Sequence, residues 1–271
     1  MSDLLRCQSC GGVVVWDARQ SGAACLFCGS LTLEVQQLEE PLPVPDAWLP
    51  MQVSAPDADD RFRAWATSSW FRPAILRTTA IELRPMLLPA WRFHSALETH
   101  WAGLRRAATK SGKAPVSGVE HLRLHHMVPA SAGLSQAELY ALQPFDEQRA
   151  AAWTRDGATM IWEPPALTRR GAKLRAHRDL AADHMRRISA AHQLVHCKVS
   201  PVIEDEDVRL LMVPIYIGAF RFRDRPWRFL INGQSGEVVG EAPVDRVKVF
   251  LVVLGVLAAI LVVGLIVSVL Q

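Results

Sequence analysis

The sequence predicts an α+β protein in four parts, and three observations predict it. Two paired cysteine knuckles occupy the N-terminal stretch, prolines crowd the residues after them, and a charge-free apolar segment runs from Val249 to Leu270. The expected organisation is a zinc ribbon at 1–36, a Pro-rich connector at 37–60, an α+β domain with an antiparallel sheet and a long helix at 61–245, and a single transmembrane helix at 246–271.

Composition excludes several classes. The chain has 271 residues, is 50% hydrophobic and carries a net charge of +3. It is too apolar to be disordered and too nearly neutral for a global pull toward nucleic acid. Five cysteines are too few for a disulfide-built secreted scaffold.

Four of those cysteines form two C-x-x-C-G knuckles, Cys7-Gln8-Ser9-Cys10-Gly11 and Cys25-Leu26-Phe27-Cys28-Gly29. The two-residue gap lets both thiolates of a knuckle reach one ion, and the glycine permits the tight turn after the second sulfur. Val13 to Trp16 and Leu31 to Val35 read as strands around a turn at Ser21-Gly22-Ala23. Four soft ligands in tetrahedral array favour one structural Zn2+ at Cys7, Cys10, Cys25 and Cys28, which replaces a core that so short a segment cannot build. Cys197 stands alone and reads as a mostly buried cysteine.

Residues 39–60 carry five prolines and read as a semi-rigid connector. Asp57 to Trp70 reads as a helix with Phe62, Trp65, Ala66 and Ser69 on one face. Ile81 to Trp101 reads as strand. Its run Met86-Leu87-Leu88-Pro89-Ala90-Trp91 has a counterpart in Leu211-Met212-Val213-Pro214-Ile215-Tyr216; this is either an internal repeat placing two related strands in one sheet or a chance match. Ala166 to Val195 reads as a long basic helix, with Leu167, Leu174, Ala181, Ile188 and Val195 as its apolar stripe. It is expected to be a solvated amphipathic helix packed on the sheet, with anionic lipid or nucleic acid as the alternative partner of its basic face. Leu210 to Arg223, Trp227 to Ile231 and Glu237 to Gly240 read as a strand series, with Gly233 and Gly236 supplying positive φ in the second turn.

No catalytic constellation is expected. His121, His125 and His126, and the pair His192 and His196 on the basic helix, lack the glutamate of a metalloprotease helix and read as exposed or satisfied histidines. The acidic run Glu204 to Asp207 reads as a solvated loop. No phosphate loop and no nucleophile elbow is present, and no small-molecule substrate is indicated.

The apolar segment of 22 residues spans about 33 Å as a helix, enough for a hydrocarbon core of about 30 Å. Arg246 and Lys248 precede it and only Gln271 follows, so the expectation is a tail anchor in the inner (cytoplasmic) membrane with the preceding domain in the cytoplasm. Residues Met1 to Cys10 have no apolar core of a cleavable signal peptide.

The knuckles resemble transcription-factor-IIB-type zinc ribbons. Phe62-x-x-Trp65, Ser69-Trp70-Phe71-Arg72-Pro73, Leu88-Pro89-Ala90-Trp91, Val128-Pro129-Ala130-Ser131 and the run from Trp227 to Pro243 resemble an uncharacterised bacterial family of membrane proteins with an N-terminal zinc ribbon, some labelled primosomal helicase-like. The likeness spans nearly the whole chain, except that Gln8 and Leu26 stand where the ribbons usually carry proline. Some relatives are linked to membrane-stress systems of the phage-shock and stomatin/prohibitin types. The resemblance implies an adaptor that recruits protein partners to the cytoplasmic membrane face. The alternative is a membrane-tethered nucleic-acid binder. Residues 1–36 offer only Arg6 and Arg19 as bases against Asp3, Asp17 and Glu34, which disfavours phosphate binding there.

Overall fold

The computed structural model describes residues 4–9, 13–15, 25, 30–36, 43–106, 112–154, 160–223 and 225–270, with the side chains at 4, 13–15, 36, 204–206, 258, 262 and 264–270 left out. It is a mixed α+β structure. A small antiparallel sheet, β1 (Leu4–Cys7), β2 (Val13–Val15) and β3 (Leu33–Gln36), has the order β2-β1-β3. The segment expected as a connector contributes to the main body: it holds β4 (Ala47–Trp48) and the first turn of α1 (Ala55–Thr67). Proline is no obstacle there, because Pro56 falls in the first helical turn, where no intrahelical N–H is needed. A 3-10 turn, Ala74–Arg77, leads into β5 (Glu82–Arg106), which folds back as β6 (Lys113–Pro129). Next come α2 (Gln136–Leu142), a 3-10 turn at Glu147–Arg149, β7 (Ala151–Ala152) and β8 (Ile161–Trp162). Then follow α3 (Arg169–Ala191), β9 (Leu194–Phe222), β10 (Arg225–Asn232), β11 (Val238–Gly240) and α4 (Arg246–Leu270).

The eight strands from β4 to β11 form one sheet around the antiparallel pair β5 and β9. The candidate repeat lies at its centre. Leu88 pairs with Val213, and on either side Leu87 faces Pro214 and Pro89 faces Met212. The two similar runs are therefore each other's partners about a local two-fold axis.

The symmetry extends well beyond these strands. Trp48 of β4 pairs in parallel with Met212, and Trp162 of β8 pairs in parallel with the equivalent Leu87. Leu49 N–H donates to Met212 O at 2.9 Å, and Glu163 N–H to Leu87 O at 3.0 Å. Gly233 N–H donates to Pro214 O at 2.8 Å, and Ala130 N–H to Pro89 O at 2.9 Å. Tyr216 Oη donates to Val53 O at 2.7 Å, and Trp91 Nε1 to Leu167 O at 2.8 Å. Ser54 and Thr168, the next residues, are the N-caps of α1 and α3. The body is thus two β–α–β–β units, β4-α1-β5-β6 and β8-α3-β9-β10, each laying its first strand on the long strand of the other.

Both helices cover one face of the sheet. Phe62 of α1 is fully buried on Tyr216, Phe220, Phe229 and Ile231, with its ring centroid 4.4 Å from that of Phe229. Gly218 admits this stack, since a Cβ there would run into the Phe229 ring. Beneath α3 lie Trp91, Phe93, Val128 and Leu210. Its buried face is Ala172, Ala176, Leu180, His184 and Ile188, not the expected seven-residue stripe, and Leu174 is 63% exposed. Two alanines let the helix approach the aromatic rings, so small residues mark the face that larger ones were expected to mark. The opposite face buries Leu88, Ala90, Val213 and Ile215 in one cluster with Leu139 and Leu142 of α2 and with Cys7 and Cys25.

Two further expectations are corrected. The acidic run lies within β9, not in a loop: Asp207 pairs with His94 and Glu204 with Ala96, leaving two residues opposite Ser95. That two-against-one arrangement is a β-bulge, which lets charged residues sit in a long strand. Only Gly236 of the second turn has positive φ, at 77°; Gly233 is needed because a Cβ would meet Met51 and Pro214.

Among the described residues no helix is long and apolar enough to cross a membrane. In α4 the described apolar side chains from Val247 to Val263 are exposed, and those at 258, 262 and 264–270 lie outside the described residues.

Candidate functional site

Of the four expected zinc ligands, Cys7 and Cys25 are each 1% exposed, while Cys10 and Cys28 lie outside the described residues. Cys7 ends β1, and Cys25 N–H donates to Ser30 O at 2.7 Å. Cys197 is half-buried on β9.

A second cluster was not anticipated. From Phe93 onward, successive residues of β5 alternate between the α3 face and the opposite face. Arg92 and His94 point to the opposite face, where α2 and its following turn end their cover. His94 lies directly across from His125 of β6 and from Asp207 of β9, and the two imidazole centroids are 4.6 Å apart. Glu147, at the start of the 3-10 turn after α2, reaches in from above. His125 Nε2 and Glu147 Oε1 are 2.6 Å apart, and Arg92 Nε sits 3.2 Å from Glu147 Oε2. Arg92, only 5% exposed, also donates to Asp207 Oδ2 at 2.9 Å. A cleft of about 500 Å³ opens here, lined by His94, Ser95, Ala96, Arg123, Leu124, His125 and Asp207.

The electrostatics favour the ligand form of His94 and of Glu147. Burial, and then the positive charge of Arg92, push His94 below the usual histidine value, outweighing Glu147 and Asp207. Burial alone would push Glu147 up, but the hydrogen bond with His125 and the charge of Arg92 hold it below the ordinary carboxylate value. At neutral pH the cluster therefore offers an uncharged imidazole beside a carboxylate. A ligand atom from each of His94, His125 and Glu147 lies within 4.8 Å of the others.

The remaining histidines are dispersed. His121 is 72% exposed, and its Nδ1 is 3.8 Å from Glu98. His126 Nε2 is 3.9 Å from Asp179. His192 and His196 do not share a helix: α3 ends at Ala191, and His196 belongs to β9. The bases of α3 at Arg169, Arg170, Lys173, Arg175, Arg178, Arg186 and Arg187 are all exposed, with Arg186 and Arg187 paired to Asp183.

Sequence reasoning names His121, His125 and His126 together but has no route to His94 or Glu147. A hairpin register linking residues 31 apart, and a turn more than 20 residues further on, are set by tertiary structure. The chain matches no family model, no curated protein and no solved structure.

Proposed function

We propose that the chain is a membrane-anchored zinc-ribbon adaptor that recruits protein partners to the cytoplasmic face of a bacterial inner membrane. The observation that carries this reading is α4. Its described side chains, among them Phe250, Leu251, Val253, Leu254, Leu257, Ile260 and Leu261, are exposed and apolar around the helix, an arrangement that water disfavours and a bilayer satisfies.

The foot of the helix supports the same reading. Lys248 Nζ donates to Trp70 O at 2.9 Å and to Arg72 O at 3.0 Å, and Asp245 N–H donates to Phe71 O at 2.8 Å. Trp70 is 60% exposed beside it. Arg223, Arg225 and Arg246 line an adjoining cleft of about 370 Å³ with Phe222 and Trp227. Exposed aromatics and basic side chains at the start of an apolar helix suit the headgroup level of an anionic membrane surface. A tether of this kind raises the effective concentration of other membrane-bound proteins, which suits a recruiter. The knuckles, their resemblance to zinc ribbons and the burial of Cys7 and Cys25 support one structural Zn2+. The exposed bases of α3 favour the second reading, a membrane-tethered nucleic-acid binder.

The test is carbonate extraction of membranes carrying either the full chain or a chain ending at residue 245. The full chain should stay with the membrane and the shortened one should be released. Release of the full chain overturns the anchor. Tight, steeply salt-dependent binding of DNA or RNA by the full chain in detergent, lost on neutralising Arg169, Arg170 and Lys173, replaces the adaptor by the second reading.

A further inference from the structure

We propose that His94, His125 and Glu147 form a second metal site, for a divalent transition-metal ion that prefers imidazole ligands. It is separate from the cysteine knuckles and independent of the membrane reading.

The first support is placement. Two histidines on adjacent antiparallel strands, directly opposite each other on the same face, have their Cβ atoms about 5 Å apart. That spacing lets both rings turn toward a common point above the sheet. Glu147 approaches that point from the turn after α2 and closes a two-histidine, one-carboxylate set. Metal-ligand bonds of about 2.0–2.1 Å in tetrahedral array put ligand atoms about 3.3 Å apart. The present pair, His125 Nε2 and Glu147 Oε1 at 2.6 Å, would open by less than an ångström. His94, at the cleft mouth, would close the remaining gap by a change of rotamer.

The second support is what stands behind the ligands. A metal-binding carboxylate is typically oriented by a neighbour that occupies its other oxygen. Arg92 pairs with Glu147 Oε2 by charge, its Nε 3.2 Å away but out of hydrogen-bond alignment, while Oε1 faces His125. Arg92 is in turn fixed by Asp207, whose carboxylate lines the same cleft. Arg92, Arg123 and Arg209 outnumber Glu147 and Asp207 around this cleft, so the ligand atoms themselves, not the net charge, would hold the ion. On binding, the hydrogen bond between His125 and Glu147 is replaced by two metal bonds. The proton held between Nε2 and Oε1 leaves to solvent, or is passed to His125 Nδ1, before Nε2 can ligate. Three protein ligands with an open cleft leave room for water on the ion, and imidazole with carboxylate selects zinc, nickel, cobalt or copper over calcium and magnesium.

The test uses cobalt(II) as the probe, added to the full-length chain in detergent. Cobalt on thiolates shows sulfur-to-metal charge transfer, whereas cobalt on imidazole and carboxylate shows ligand-field bands alone, so the two sites separate spectroscopically. The wild type should show a saturable component free of charge transfer. Each of His94→Ala and His125→Ala should weaken it by about tenfold or more, and His196→Ala should leave it unchanged. Circular dichroism should show both cleft variants folded, and His94→Asn offers a milder replacement if His94→Ala does not fold. A wild type lacking this component, or the same component in a folded His94→Ala/His125→Ala double variant, overturns the proposal.

Discussion

At matched places in the two halves of the body, Trp91 and Tyr216 each reach the carbonyl that precedes the N-cap of a covering helix. One and three residues further along the strands the halves part. Arg92 and His94 stand on β5 where β9 carries Ile217 and Ala219. The units also differ in reach: α1 has 13 residues and α3 has 23, and β6 has 17 against 8 for β10. The shared positions are those that close the sheet about its axis and seat a helix. The divergent ones lie where the longer hairpin leaves the axis and its outer face opens to water. Packing therefore constrains both halves alike near the axis, and chemistry has room only where one half outgrows the other.

The largest expected effect tests how each helix is seated. Phe62 anchors α1 with a single fully buried ring, so Phe62→Ala should cost about 3–5 kcal/mol. Ala176 does the opposite task in α3, allowing close approach, so Ala176→Leu should cost about 1–3 kcal/mol by overpacking. Urea denaturation measures both. Equal losses, or a neutral Ala176→Leu, would break the contrast between a ring-anchored helix and one seated on small residues.

Those two seatings also explain what could be read from sequence. Phe62, Trp65 and Ala66 revealed the buried face of α1 because large residues dominate a periodicity. The face of α3 was misplaced because Ala172 and Ala176 contribute almost nothing to one. The proline-centred runs at Leu88-Pro89 and Val213-Pro214 leave a repeat and a chance match equally open, because their pairing with each other is a register fact no short run encodes. The cleft stayed hidden for the same reason. His94 and His125 meet through hairpin register, and Glu147 meets them through the path of the chain after α2.

Acid should sharpen the comparison next. His94 on β5, His126 on β6 and His184 on α3 are all pushed below the ordinary histidine value, with burial the first cause in each. The folded state disfavours their charged forms, so stability is greatest above about pH 6.5 and falls as protons bind below it. Glu147, held below its ordinary value, adds a second loss only as pH drops through the carboxylate range near about 4. None of these groups packs under α1. Hydrogen exchange compared between about pH 7.5 and about pH 5.5 should show β6 and α3 losing protection before α1 and β10, once intrinsic rates are divided out. Uniform loss across both halves would show that the titration is not local to the longer one.

The smallest expected effect concerns the two caps. Ser54 Oγ accepts from Asp57 N at 3.3 Å, and Thr168 Oγ1 accepts from Gly171 N at 3.3 Å. Removing either cap should cost about 1 kcal/mol. The first turns differ, however. Asp57 sits in the first turn of α1, where its negative charge favours the helix N-terminus, and Ser54 Oγ also donates to Asp57 Oδ2 at 2.6 Å. The first turn of α3 begins with Arg169 and Arg170, positive charges at the positive end of the dipole, so nothing there substitutes for the lost oxygen. Thr168→Ala should therefore exceed Ser54→Ala by about 0.3–1 kcal/mol at low ionic strength. Salt should narrow the gap, because it screens the arginines and the aspartate but leaves the cap hydrogen bonds in place. Chemical denaturation of both variants at low and high salt measures the difference. A gap that persists at high salt would trace it to packing of the longer helix, not to charge in its first turn.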